Sequence, residues 1–239
     1  MEHKIERLTT PSPDGRQSPR SYVIRAGHMT DRQKDALHRL YEHYGIRWES
    51  GKIVNALSLF GSEPARPFLV EIGFGMGDAT AKIVKALPDS DFLGVEVHAP
   101  GVGQMLLEIE RQSIENLRVC RHDAMEVVES MLAPDSVDGF HVFFPDPWPK
   151  KKHHKRRIMR QDFVHLMTSR LKPGGYLYFV TDWEEYAKTT LEVLRSEDLL
   201  ANAYDVWAER QPWRPVTKFE KRAVDEGRSI WELLFRRIR

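Results

Sequence analysis

The chain has 239 residues, 41% hydrophobic and 10% aromatic, enough to bury a sizeable core and too apolar for a disordered polymer. Its 36 basic and 35 acidic residues leave a formal net charge of +1, so any preference for a charged partner must come from local placement. The single cysteine, Cys120, excludes disulfides within the chain and metal clusters built from several thiolates.

In chain order, residues 1–20 are polar, hold Pro11, Pro13 and Pro19 around an Asp14-Gly15 turn, and read as a mobile arm. The stretch Met1 to Arg7 has no apolar run, and no window approaches the ~18 apolar residues of a membrane span, so a cytoplasmic protein without a membrane partner is expected. Residues 21–239 are expected to form one domain. A basic segment with Arg16, Arg20 and Arg25 leads into an N-terminal helix within 30–60, whose Leu37, Leu40, Tyr41 and Tyr44 share a face. From Pro67 onward, apolar strands alternate with helices. Strands are expected near 68–72, 92–97, 117–121, 140–144 and 176–181, with a last one at 229–236. Helices are expected near 78–87, 101–112, 124–131, 160–171 and 183–197. This alternation predicts an α/β fold: a doubly wound, mostly parallel sheet with helices on both faces.

Glu71-Ile72-Gly73-Phe74-Gly75-Met76-Gly77 closes the first strand of the alternation. Alternate glycines allow a tight turn and close approach of backbone to a ligand. About 20 residues on, the strand 92–97 carries Glu96 at its end, where a ribose diol is commonly held. A dinucleotide fingerprint needs a small residue where this chain has Asp78, and a carboxylate there would repel a pyrophosphate. That argues against a nicotinamide oxidoreductase. Acids recur at successive strand ends, Glu71, Glu96, Asp123 and Asp146, and suit a cationic ligand with a ribose, an adenine amine and an ammonium group. S-adenosyl-L-methionine has that chemistry. Asp123 is also placed to cap the helix starting at Ala124.

After the strand 140–144 comes Pro145-Asp146-Pro147-Trp148-Pro149, whose three prolines stiffen the backbone around an acid. Lys150, Lys151, Lys152, His153, His154, Lys155, Arg156 and Arg157 follow without an acid. Beside a cofactor pocket, such a run suits a phosphate backbone, because each neutralised phosphate releases condensed cations. His153 and His154 lack a third ligand at metal spacing, so no metal is expected. Cys120 ends an apolar run and reads as core rather than nucleophile, favouring an acceptor with its own lone pair.

Taken together, the Gly-rich turn, Phe92-Leu93-Gly94-Val95-Glu96-Val97-His98, Phe143-Phe144-Pro145-Asp146-Pro147-Trp148 and Arg214-Pro215-Val216-Thr217-Lys218-Phe219-Glu220 resemble the bacterial tRNA (guanine-N7-)-methyltransferase family. The resemblance runs from about Arg20 nearly to the end of the chain. It departs only at Pro149, a position expected to vary. It implies a seven-stranded Rossmann-like methyltransferase sheet. Its target would be a guanine in the tRNA variable loop, position 46 in tRNA numbering. By similarity, Glu71, Gly73, Gly75, Gly77, Glu96, Asp123 and Asp146 would meet the cofactor. Lys150, Asp182, Thr217, Lys218, Phe219 and Glu220 would meet the substrate, and residues 151–157 the RNA.

Guanine N7 carries a lone pair and no proton, so attack on a sulfonium methyl needs no general base. Orientation then supplies much of the acceleration, and a carboxylate eases the positive charge on the product purine. Asp146 is the candidate for that role. The base must be splayed out for an in-line approach, and Asp182 with Glu220 is expected to accept its N1–H and N2–H₂ donors. Thr217 and Glu220 also fit a capping box, with Gly227 at the far end of a short helix. A non-catalytic RNA-binding protein is the competing class. With no coiled coil and no apolar patch legible, a monomer is favoured over a homodimer.

Overall fold

The computed structural model describes residues 20–22, 28–61 and 66–239. Apart from Arg20, the polar arm at 1–20 lies outside the described residues, as does Arg25.

Two helices occupy the expected N-terminal helical region, correcting a single helix within 30–60. Helix α1 (Asp31–Tyr44) starts in a capping box: Thr30 Oγ1 accepts the Gln33 N–H at 3.3 Å, and Gln33 Oε1 accepts the Thr30 N–H at 3.0 Å. After the short β1 (Gly45–Ile46) the chain runs without regular structure to α2 (Ala56–Phe60). There Asn55 caps the first turn and Gly61, at φ 66°, closes the last.

The alternating unit follows: β2 (Phe68–Ile72), α3 (Asp78–Ala86), β3 (Asp91–Val95), α4 (Ala99–Gln112), β4 (Leu117–Cys120), α5 (Ala124–Ser130) and β5 (Val137–Phe143). A 3₁₀ helix at Lys151–Arg156 leads to α6 (Gln161–Arg170), β6 (Leu171–Thr181), α7 (Glu184–Arg195), β7 (Leu200–Asn202), α8 (Lys218–Asp225) and β8 (Trp231–Arg237). The described strands form one sheet of eight, in the order β1-β4-β3-β2-β5-β6-β8-β7. The expected count of seven is therefore one short. The two-residue β1 extends the sheet beside β4, with Gly45 opposite Val119. Only β8 runs antiparallel, between β6 and β7.

Every residue of β2 and β3 is buried, as strands covered on both faces require. Their side chains alternate between two cores. Phe68, Val70 and Ile72 join Val127, Phe163, Met167 and Tyr186 under α5, α6 and α7. Leu69 and Phe92 join Ala36, Ile83, Val102 and Leu106 under α1, α3 and α4. Leu37, Leu40, Tyr41 and Tyr44 pack against this second core, giving the α1 face its role. Strand order reverses between β2 and β5, and a crevice opens at such a point beyond the carboxyl ends of the strands.

Candidate active site

The Gly-rich turn leaves β2 at that reversal. Gly73, Gly75 and Gly77 all have positive φ, and Gly77 precedes the first turn of α3. A methyl at Gly73 or Gly75 would meet no atom within 4 Å, so both face open space, and Gly73 lines the cleft. At Gly101 in α4 a methyl would stand 2.2 Å from the Gly75 carbonyl oxygen, so that helix closes on the turn only with glycine there.

Glu96 ties the turn to the end of β3. Its Oε2 accepts the Gly75 N–H at 2.9 Å and its Oε1 accepts the His98 N–H at 2.8 Å. Burial raises its pKa against the opposing effect of these bonds. Glu71 lies deeper: Oε1 accepts the Thr80 hydroxyl at 3.0 Å, while Oε2 is buried without a hydrogen-bond partner. Burial, with a smaller contribution from the charge of Glu96, pushes Glu71 up to about 7. Asp123 caps α5 by accepting the Met125 N–H at 2.9 Å, and burial raises its pKa. His122 beside it is fixed by Glu126 at 2.5 Å and by the Trp48 ring stacked at 4.4 Å.

Glu96, His122 and Asp146 line one cleft together with Ser21, Tyr22, Gly73, Val97 and Phe144. Asp146 is exposed at its mouth. The turn carrying it is held unusually: Phe144 and Trp148 have φ of 48° and 46°, left-handed values that cost non-glycine residues energy. Phe144 N–H donates to the Val180 carbonyl at 2.7 Å, anchoring the start of the turn to β6. Backbone strain on both sides of Pro145-Asp146-Pro147 persists only where the surroundings over-determine it.

The basic run divides into two populations. Lys150, Lys151, Lys152 and Lys155 are exposed, with His153 and His154 half-buried among them. Arg157 departs from the RNA-facing expectation because it is buried. It donates to both Glu185 oxygens, to Thr189 Oγ1 at 3.2 Å and to the Pro147 carbonyl at 2.9 Å. Arg156 points inward too, donating to the carbonyls of Arg20 and Tyr22.

The block at 217–220 also divides. Thr217 Oγ1 accepts the Glu220 N–H at 3.0 Å and caps α8, while Gly227, at φ 74°, follows the last turn. Glu220 does not return the bond, so the capping box is half made, and the expectation that it faces a ligand is corrected. It is 1% exposed, with one oxygen on Arg210 and the other 2.8 Å from Arg214 Nη1. Arg214 continues to Glu232 Oε1 at 2.5 Å and to the Tyr178 hydroxyl at 3.2 Å, joining α8 to β8 and β6. Lys218 pairs with Asp78 at 2.6 Å across to the start of α3, and Phe219 is 69% exposed and stacked on Phe144. Asp182, just past β6, accepts from Arg228. Sequence reasoning missed Ser21, Tyr22 and His122 as cleft residues and Arg214 as the clamp on α8; for Ser21 and Tyr22 the chain gives no local signal.

Among the described residues, no helix is long and apolar enough to cross a membrane, and no three His, Cys, Asp or Glu side chains cluster as metal ligands.

A family model described as "Putative methyltransferase" matches residues 65–233. A tRNA (guanine-N(7)-)-methyltransferase of Bordetella pertussis is 50% identical over 227 residues, spanning 95% of this chain and 88% of that protein. One from Neisseria meningitidis serogroup C is 48% identical over 233 residues, spanning 95% and 97%. The crystal structure of the aminoglycoside resistance methyltransferase NpmB1 superposes with a TM-score of 0.50 at 14% identity, covering 72% of this chain and 88% of that one. That likeness bears on the fold alone and agrees with a Rossmann-like methyltransferase sheet. With half its residues identical to such relatives along nearly its whole length, the chain belongs to the tRNA (guanine-N7-)-methyltransferase family.

Proposed function

We propose that this chain methylates N7 of a guanine in tRNA, at position 46 of the variable loop, with S-adenosylmethionine as donor. A cytoplasmic location and a monomeric state belong to the same reading. The observation that carries it is a juxtaposition at Asp146. A cleft lined by the strand-end acids Glu96 and Asp146 opens there, and the same turn runs directly into the exposed lysines at 150–155.

The residues fit the donor. Glu71 offers a buried carboxyl oxygen without a partner, and the open space over Gly73 and Gly75 admits a ligand against backbone. Glu96 would hold the ribose diol on the lone pairs left by its two backbone bonds. Asp123 would take the adenine amine, and Glu71 would balance the cationic end; a cation alongside it favours its ionised form. S-adenosylmethionine supplies an electrophilic methyl carbon on a sulfonium sulfur. The acceptor N7 needs no deprotonation, so the protein's task is to orient the base and ease the positive charge that develops on it. Asp146, in its strained turn at the cleft mouth, is the group that would serve both. With Glu220 committed to Arg210 and Arg214, Asp182 is left as the acceptor for the guanine N1–H and N2–H₂ donors, exchanging Arg228 for the base. Phe219, exposed beside Phe144, offers the base an aromatic face, while Lys150, Thr217 and Lys218 would contribute further substrate contacts.

The test is methyl transfer from labelled S-adenosylmethionine to an unmodified tRNA transcript, followed by digestion to nucleosides. Label in 7-methylguanosine is the expected result. Label in another nucleoside overturns the acceptor, and bound tRNA without label overturns the catalytic reading.

A further inference from the structure

Arg20, Ser21 and Tyr22 lie far from the cleft in sequence, yet Ser21 and Tyr22 form part of its wall beside Glu96, His122 and Asp146. The Asp146 turn and the basic segment hold their backbone. Trp148 Nε1–H donates to the Ser21 carbonyl at 3.1 Å. Arg156 donates to the Arg20 carbonyl at 3.0 Å and to the Tyr22 carbonyl at 2.7 Å. Its guanidinium also lies 3.9 Å over the Trp148 ring, so the two anchors hold each other. Three successive carbonyls are thereby fixed from one side, at the point where Tyr22 joins the cleft wall.

The Tyr22 hydroxyl is buried next to the Asp123 carboxylate, yet it has no hydrogen-bond partner of good geometry. Burial and that neighbouring charge raise its pKa, which keeps the phenol protonated and able to donate. Buried hydroxyls are rarely left unbonded, and this one belongs to a residue of the cleft wall, where a bound ligand would supply the partner.

We propose that Tyr22 binds the cofactor, its ring walling the nucleoside end of the cleft and its hydroxyl bonding to the nucleoside, with Arg156 and Trp148 as its positioning residues. This rests on the S-adenosylmethionine reading and adds a contact from outside the strand ends. It also gives Arg156 a different task from the lysines around it. The guanidinium belongs to the segment expected to meet RNA, but its donors hold the wall of the cofactor cleft. Cofactor affinity and the basic segment are therefore coupled through one side chain.

Calorimetric titration of the full chain with S-adenosylhomocysteine, in the absence of tRNA, tests this. Tyr22→Ala should weaken binding about tenfold or more, and Tyr22→Phe about two- to tenfold, as loss of one neutral hydrogen bond implies. Arg156→Gln should weaken the same binding several-fold, although no RNA is present. Melting temperatures of the unliganded variants close to wild type show that the fold is intact. Tyr22→Ala binding as well as or better than wild type overturns the assignment, and an Arg156→Gln effect confined to tRNA affinity overturns the positioning role. Failure of the wild-type chain to bind S-adenosylhomocysteine overturns the cofactor reading itself, and this inference with it.

Discussion

Arg214→Met isolates the most heavily committed charge in the molecule. The Arg214 side chain is fully buried and serves Glu220, Glu232 and the Tyr178 hydroxyl at once. Methionine preserves much of the volume, so the main consequence is two buried carboxylates short of a cation. Removing one partner of a buried ion pair costs about 3–5 kcal/mol, because the remaining charge is stranded away from water. Two contacts soften the loss here. Glu220 keeps Arg210, which is partly exposed, and Glu232 keeps the Tyr178 hydroxyl. The lower end, about 3 kcal/mol, is therefore expected, a fall of roughly 6–12 °C in Tm at about 2–4 °C per kcal/mol for a domain of this size. Urea denaturation at neutral pH measures it. Adding Glu220→Gln and Glu232→Gln removes the stranded charges and should restore much of the stability, because an ion cluster replaced as a whole often costs little. A loss below about 1 kcal/mol for Arg214→Met alone would refute the argument. So would a triple variant less stable than the single one.

Three further outcomes follow from the site. Asp146→Ala should abolish methyl transfer while leaving tRNA affinity nearly unchanged; a near-normal single-turnover rate would remove Asp146 from the mechanism. Neutralising Lys151, Lys152 and Lys155 together should weaken tRNA binding and flatten its dependence on log[salt] by about 0.7–0.9 per lost phosphate contact. An unchanged slope in filter-binding titrations would place those lysines away from the RNA. Glu71 has a folded pKa of about 7, above its ordinary carboxylate value, so the folded state holds a proton that the unfolded state has lost. Stability of the unliganded chain should fall as pH rises from the carboxylate range through 7, by up to about 3 kcal/mol, and Glu71→Gln should flatten that slope. Equal pH profiles for the two proteins would show that Glu71 is ionised without penalty.

The sheet and the positions of the acids near its strand ends were legible because their signals are local, although of these acids only Glu96 and Asp146 line the cleft. Alternating apolar strands and amphipathic helices, a glycine turn and an acid at each strand end are written within a few residues of one another. The two-residue β1 and three-residue β7 are too short to carry any periodicity, so only their neighbours in the sheet define them. The site was harder to read wherever one residue type has two uses. Glu220 looks like a ligand acid from its place in the Thr217–Glu220 block, but two arginines ten and six residues earlier claim it. That pairing depends on the fold bringing Glu220 of α8 and Glu232 of β8 to the same arginine, Arg214. The basic run presents the same difficulty from the opposite sign. In sequence its cations are equivalent; in the fold, each is assigned by whether an acceptor lies behind it. Arg157 finds Glu185 and the Pro147 carbonyl, Arg156 finds two backbone carbonyls, and Lys150, Lys151, Lys152 and Lys155 stay at the surface. The two arginines, with rigid forked donors, are the ones drawn inward, and the flexible lysines remain outside, where a point charge can track a phosphate. Charge in such a segment therefore divides by side-chain geometry: the arginines shape the cleft and its turn, and the lysines present the field that RNA would meet.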